Sequence, residues 1–79
     1  MRYLATIKLS ARNQLKGKIS SVKKGGVVSR VELELTPASI PVKITSVITN
    51  EAVEELNLKP GDQVVAVMKS TEVMIAKLD

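Results

Sequence analysis

The chain contains no cysteine and no histidine, and its one aromatic residue is Tyr3. Without cysteine there is no disulfide framework and no thiol nucleophile, and without histidine there is no imidazole general base. The usual nitrogen and sulfur ligands of zinc are missing for the same reason. These absences exclude most of the common catalytic machinery.

Long apolar runs are also missing. The uninterrupted apolar stretches are far shorter than the roughly 20 residues that a membrane-spanning helix requires. Arg2, Thr6 and Lys8 interrupt the start of the chain before the apolar core of a signal peptide could form. We therefore expect no membrane partner and a cytoplasmic location.

Positive charge exceeds negative charge in this short chain. The 79 residues include 12 Lys and Arg against 8 Asp and Glu, a formal net charge of +4, which favours an anionic partner. Single-stranded nucleic-acid binders stack bases on aromatic rings, at roughly 1–3 kcal/mol per base, and one tyrosine cannot supply such a surface. We expect an anion other than nucleic acid. Because so small a core supplies little stability, we also expect a homo-oligomer.

Alternation of apolar and polar residues, rich in valine and isoleucine, predicts strands over the first two thirds of the chain. An N-terminal strand is predicted at residues 3–9 and the next around residues 15–21. Gly25-Gly26 predicts a hairpin turn into a strand at residues 27–35, and another strand follows at residues 42–48. The expected apolar face of the second strand carries Leu15, Gly17, Ile19 and Ser21.

The period changes after residue 48 and predicts a short helix. Thr49 or Asn50 is a suitable N-cap, and Pro60 requires the helix to end by Leu58. Strands are predicted again at residues 64–68 and 72–78. Without the N-terminal strand, five predicted strands remain, and the short helix lies between the third and the fourth of them. This is the order of elements in the OB-fold, a Greek-key barrel. We therefore predict an all-β fold, one domain over residues 1–79, with an extra N-terminal strand.

Hydrogen-bond donors are concentrated at three element ends of the predicted fold. A hydroxyl, a guanidinium and several backbone N–H groups in one short segment can converge on an oxygen-rich anion, because each of them donates to oxygen. The first cluster is Ser10, Ala11, Arg12, Asn13 and Gln14, the second is Lys69, Ser70 and Thr71, and the third is the helix entrance at residues 45–50 with Thr49.

Each cluster has a simpler interpretation, which the sequence leaves open. The first two are also consistent with solvated turns, and Thr49 with a helix cap. The carboxylates show no spacing that would pair them as acid and base, so we expect no enzyme activity. The lysines at positions 16, 18, 23 and 24 are typical of a solvated strand face, although they could also attract anions.

The string Ser10-Ala11-Arg12-Asn13-Gln14-Leu15-Lys16-Gly17 resembles the molbindins, the small Mop-type proteins that bind molybdate. The likeness continues from Ile7 through the helix and into Lys69-Ser70-Thr71-Glu72-Val73. It implies an OB-fold and a hexamer, a trimer of dimers, with oxyanions bound between subunits. It also implies intracellular storage or buffering of molybdate or tungstate, with the oxyanion as ligand and no separate cofactor.

Carried over by position, the resemblance implies a specific set of contacts. The anion would lie against Ser10, the backbone around Ala11 and Arg12, and Lys69 with Ser70, while Thr49 would reach in from a neighbouring subunit. Asn13 belongs to the same segment and is included among the expected binding residues. Ala52 stands where some relatives carry a further hydroxyl, so we expect no side-chain contact there.

A site made of donors suits a fully deprotonated tetrahedral dianion. Such an ion loses a large hydration free energy when it leaves water, and only a full set of hydrogen-bond donors together with positive charge can replace it. Phosphate carries a proton at neutral pH and needs an acceptor, so an all-donor site disfavours it. An alternative function comes from Leu58-Lys59-Pro60-Gly61-Asp62, which resembles an element of AbrB-type DNA-binding regulators.

Overall fold

The computed structural model describes residues 9–36, 39 and 41–78. These residues form four strands, β1 (Asn13–Lys24), β2 (Val28–Leu35), β3 (Lys43–Thr49) and β4 (Gln63–Met68). One short helix, α1 (Asn50–Glu55), connects β3 to β4, and a 3-10 turn (Ser70–Glu72) follows β4. The predictions of an all-β fold and of a short helix after the third of these strands are confirmed.

All strand pairs are antiparallel, in the order β3-β2-β1-β4. The long strand β1 pairs with β4 through its first half and with β2 through its second half. The hairpin between β1 and β2 is closed at the predicted diglycine, where the Gly25 N–H donates to the Val28 carbonyl at 2.8 Å. The sheet is strongly curled into a half-barrel.

The curl is explained by two features of β1. A Cβ atom on Gly17 would lie 2.5 Å from Leu33 Cδ1 and 2.7 Å from the Glu34 carbonyl oxygen, so only glycine permits this close strand approach. A bulge between Ile19 and Ser21 shifts the register of β1 against β2. Bulges bend the strand that contains them and increase its twist.

The bulge also corrects one prediction. Ser21 was expected on the apolar face with Ile19, but the register shift places it opposite Glu32, and its hydroxyl donates to Glu32 Oε1 at 3.3 Å. Val22 lies opposite Val31 instead and packs against the core. Strict alternation fails here because the extra residue reverses which side chains face inward.

The core is small and lies on the concave face of the sheet. Ile19 and Val31 pack with Val53 of α1, and each of the three is at most 4% exposed. The turn after α1 is anchored to the bulge of β1, because the Gly61 N–H donates to the Ile19 carbonyl and the Ile19 N–H donates to the Asp62 carbonyl, both at 2.9 Å. Gly61 has a φ of 97°, which only glycine adopts readily.

The strand predicted at residues 72–78 is not formed in the described chain. The segment begins within the 3-10 turn and pairs with none of the four strands, and Met74, Ile75 and Leu78 are each about 90% exposed. Apolar alternation indicates that one face of a segment is buried, but it does not specify which strand, or which chain, covers that face. The strand predicted at residues 3–9 lies outside the described residues except for Leu9, which is not in a strand.

Candidate functional site

The pairing of β1 with β4 brings two of the three predicted donor clusters together. Asn13, the first residue of β1, is the direct partner of Met68, the last residue of β4. The Asn13 side-chain amide also donates to the Met68 carbonyl oxygen at 3.5 Å. The segment that leads into β1 and the segment that leaves β4 therefore lie side by side at one end of the sheet.

A side chain from β1 holds the segment before it. The sequence predicted Gln14 as a donor at the site, but not as a residue that bonds to the backbone of this segment. Gln14 Nε2 donates to the Ala11 carbonyl oxygen at 2.9 Å, a bond from the start of β1 back to the segment that precedes it. Ala11 is half-buried, whereas Ser10 and Arg12 are exposed. The bond to Gln14 engages the Ala11 carbonyl oxygen, while the residues on either side, which carry the hydroxyl and the guanidinium, are exposed.

The segment after β4 presents the second pair of donors. Lys69 precedes the 3-10 turn and accepts at its carbonyl from the Glu72 N–H at 2.9 Å, while Ser70 is the first residue of that turn. Both side chains are exposed. The ion pairs among the described residues involve Lys24, Arg30 and Lys59. The positive charges of Arg12 and Lys69 are therefore not neutralised by any of these pairs.

Thr49 does not join this cluster within one chain. It is the direct partner of Val28 at the start of β2, next to the hairpin that ends β1. Asn13 lies at the other end of β1, a strand of 12 residues. At about 3.3 Å per residue the path between the two ends is tens of ångströms long. A single chain therefore holds Ser10, Arg12, Lys69 and Ser70 at one end of β1 and Thr49 at the other.

Thr49 is the N-cap of α1, as one of the two sequence interpretations predicted. Its Oγ1 accepts from the Ala52 N–H at 3.1 Å, and its side chain is exposed. Accepting this bond uses a lone pair and leaves the hydroxyl hydrogen able to donate to another oxygen. The role of cap and the role of anion donor are thus compatible at this residue.

A separate concavity of about 330 Å³ lies on the inner face of the half-barrel and has a different chemical character. Its walls are mainly aliphatic side chains from β3, β4 and the turn after α1, including Ile44, Ile48, Leu58, Val64 and Met68. Such a surface offers little to an oxyanion, which requires charged or polar donors. This concavity is the open interior of the half-barrel and not the candidate anion site.

The composition and helix lengths of the described residues also limit the type of site. Among the described residues, no group of three or more Asp, Glu, His or Cys side chains could hold a metal cation. In the same part of the chain, no helix has the length and apolar character to cross a bilayer. Residues 58–62, which suggested a DNA-binding alternative, form the turn between α1 and β4.

Comparison with known proteins gives consistent matches over most of the chain. Residues 9–75 match the model of the TOBE domain. Molybdenum-pterin-binding protein 2 of Clostridium pasteurianum is 52% identical over 67 residues, which cover 85% of this chain and 94% of that protein. The match to the TOBE domain includes the whole string from Ser10 to Gly17, which the DNA-binding alternative does not explain.

Solved structures agree with these sequence matches. A molybdate-binding protein from Sporomusa ovata superimposes with a TM-score of 0.82 at 31% identity and covers 90% of this chain and all of that one. ModG, described as a cytoplasmic molybdate-binding protein and solved with molybdate bound, superimposes with a TM-score of 0.73 at 44% identity. That match covers 81% of this chain and 43% of ModG.

Proposed function

We propose that this protein binds molybdate or tungstate and stores or buffers it without chemical change. The premise is that the chain belongs to the TOBE domain family and to its Mop-type molybdenum-pterin-binding members. The observation that carries the proposal is the pairing of Asn13 with Met68. That pairing sets the donors around Arg12 beside the donors around Lys69. No step of bond making or breaking is part of the proposal, and the protein acts as a binding protein and not as an enzyme.

The proposed site has a donor set suited to a tetrahedral dianion. Its residues are Ser10, Ala11, Arg12, Asn13, Lys69 and Ser70 from one chain. Arg12 and Lys69 supply charge-assisted hydrogen bonds, which are about twice as strong as neutral ones. Ser10 and Ser70 supply hydroxyl donors. The Gln14 bond to the Ala11 carbonyl supports the segment before β1, which carries Ser10 and Arg12. Asn13 holds the two segments together through Met68.

Selectivity among anions follows from the same chemistry. Molybdate and tungstate are fully deprotonated at neutral pH and can accept from every donor. Hydrogen phosphate has one oxygen that must donate, and the proposed site contains no carboxylate to accept that proton. Sulfate has the same charge as molybdate but is smaller, so its exclusion depends on the dimensions of the closed site.

The site is completed in a homo-oligomer, which we propose is a hexamer arranged as a trimer of dimers. Two observations support an assembly. The resemblance assigns Thr49 to the anion, and within one chain Thr49 lies at the opposite end of β1 from Lys69, so we propose that its hydroxyl reaches the anion from another subunit. The segment at residues 73–78 exposes Met74, Ile75 and Leu78 to solvent. Large apolar side chains grouped in this way are typical of a surface that another chain covers.

The proposed assembly also completes the fold. The half-barrel becomes the five-stranded Greek-key barrel of the OB-fold when a fifth strand is added at residues 72–78. Apolar alternation in that segment supports the assignment, and the assembly supplies the missing contacts. We also propose that the whole chain, residues 1–79, is one domain. A cytoplasmic location is supported by the similarity to ModG, which is described as cytoplasmic.

Calorimetric titration of the full chain with molybdate, and separately with tungstate, tests the proposed function. The titration is carried out in excess sulfate and repeated with phosphate as ligand. We expect saturable binding of molybdate or tungstate that persists in sulfate, and no binding of phosphate. An absence of binding heat for both metal oxyanions, or an equal affinity for phosphate, would refute the proposal.

A further inference from the structure

A buried hydroxyl connects β2 to the start of α1. Ser29 lies on the apolar face of β2, and only 1% of its surface is exposed. Its Oγ donates to Oδ1 of Asn50, the first residue of α1. Burying a hydroxyl is unfavourable unless it is hydrogen-bonded. The bond to Asn50 supplies the partner that this buried hydroxyl requires.

Asn50 is held by the hairpin as well as by Ser29. Its Nδ2 donates to the Gly25 carbonyl oxygen at 3.0 Å, and its backbone N–H donates to the Val27 carbonyl oxygen at 2.9 Å. One amide side chain thus accepts from β2 and donates to the turn. Aspartate, which has the same shape, could not do both, because a carboxylate at neutral pH has no proton to donate.

These bonds fix the residue that follows Thr49 in the chain. Thr49 is itself paired with Val28, so the hairpin and β2 restrain both residues at this corner. The Thr49 hydroxyl accepts from the Ala52 N–H and keeps its hydrogen for an outside acceptor. The direction of that hydrogen depends on the backbone at residues 49 and 50. The bonds of Asn50 hold that backbone in place.

We infer that Ser29 and Asn50 are positioning residues, which hold the Thr49 hydroxyl in the orientation that donates to the oxyanion bound by the neighbouring subunit. The inference rests on the proposed function, because it takes the Thr49 hydroxyl as part of the binding site. It explains the orientation of that hydroxyl by the bonds that hold the backbone at residues 49 and 50. It also assigns a task to buried Ser29, which the donor clusters did not include, through its bond to Asn50.

A double-mutant cycle distinguishes positioning from a general effect on folding. Asn50→Ala and Thr49→Val are prepared singly and together, and the affinity of each variant for molybdate is measured by calorimetry. We expect Asn50→Ala alone to weaken molybdate binding about threefold to tenfold, which corresponds to the net free energy of one neutral hydrogen bond. In the Thr49→Val background the same change should alter affinity less than about twofold, because the group that Asn50 positions is then absent.

Two controls keep the cycle interpretable. Thr49→Ser retains the hydroxyl and should bind molybdate within about twofold of the unmodified protein, because the donor and the cap are both preserved. Ser29→Ala should weaken binding in the same direction as Asn50→Ala, whereas Ser21→Ala, the same substitution on the outer face of β1, should not. If Asn50→Ala fails to fold, Ser29→Ala replaces it in the cycle.

Two results would overturn the inference. An equal loss of affinity from Asn50→Ala in both backgrounds would mean that Asn50 acts on the fold and not through Thr49. Unchanged affinity in Thr49→Val would remove Thr49 from the site. In that case Arg12→Ala and Lys69→Ala show which proposal has failed. If those variants lose binding, the proposed function stands without this inference, and if they also retain it, the proposed site itself is wrong.

Discussion

Asn13 and Met68 are direct partners across β1 and β4, and the Asn13 side-chain amide donates to the Met68 carbonyl oxygen. This one pairing sets two segments beside each other that are 55 residues apart in the chain. A long-range contact of this kind is set by the strand register. The pairing of Asn13 with Met68 therefore brings the donors around Arg12 and those around Lys69 into one candidate site.

The cation after β4 is predicted to contribute directly to anion affinity. Lys69→Ala should weaken molybdate binding about tenfold to a hundredfold, the range for a hydrogen bond to a charged group. The melting temperature should change little, because the side chain is exposed and outside the ion pairs described above. Lys43→Ala, which removes the same charge from an exposed position on β3, is the control. Equal affinities in the two variants would exclude Lys69 from the site.

The Gln14 side chain is predicted to affect anion affinity through its bond to the Ala11 carbonyl, without itself contacting the anion. Gln14→Glu keeps the shape but cannot donate to the Ala11 carbonyl, and it adds a negative charge beside the bound dianion. Calorimetry should show molybdate affinity reduced about tenfold or more. Gln63→Glu makes the same substitution at an exposed position on β4 and should leave affinity within about twofold. Matching losses in both variants would point to a general charge effect.

The close strand approach at Gly17 predicts a stability effect. Gly17→Ala places a methyl group against Leu33 Cδ1 and the Glu34 carbonyl oxygen. Overpacking of this kind costs about 1–3 kcal/mol, which chemical denaturation should detect as a lower free energy of unfolding. Gly26→Ala is the matched control, because a methyl group there meets no atom within 4 Å. A Gly17→Ala variant as stable as Gly26→Ala would contradict the described register of β1 against β2.

The exposed apolar tail is predicted to hold subunits together. Ile75→Glu should shift the protein toward smaller species in light scattering coupled to size-exclusion chromatography, because a charge cannot be buried in an apolar contact without a large cost. Molybdate binding should weaken together with the assembly. Ile75→Leu keeps the apolar character and should remain assembled. An unchanged molar mass for Ile75→Glu would show that residues 73–78 are not part of a subunit contact.

The strands were predictable wherever alternation was unbroken. Val31 and Leu33 face the core as expected, and Thr49 caps α1 as expected. Ser21 was misplaced because a bulge is a local irregularity with no clear compositional signal. The strand at residues 72–78 is not formed in the single chain, since an apolar pattern indicates a buried face but not which chain buries it.

The candidate site was predictable as a set of residues but not as a geometry. The donors around Ser10 and Lys69 stand out by residue type, whereas their proximity depends on the register of Asn13 with Met68. The Gln14 bond to Ala11 and the Ser29 bond to Asn50 were missed. Glutamine in a strand and serine on an apolar face are common, and only their partners reveal what they do. A serine on the otherwise apolar face of β2 was the one available signal.

Native mass spectrometry of the full chain, with molybdate added and with sulfate as the competing anion, tests the central claim most directly. It counts subunits and retained anions in the same species. We predict that molybdate is retained by an assembly, a hexamer by the resemblance, and not by single chains, because the proposed site combines Lys69 of one subunit with Thr49 of another. Molybdate retained by single chains, or an assembly that retains none, would contradict the account.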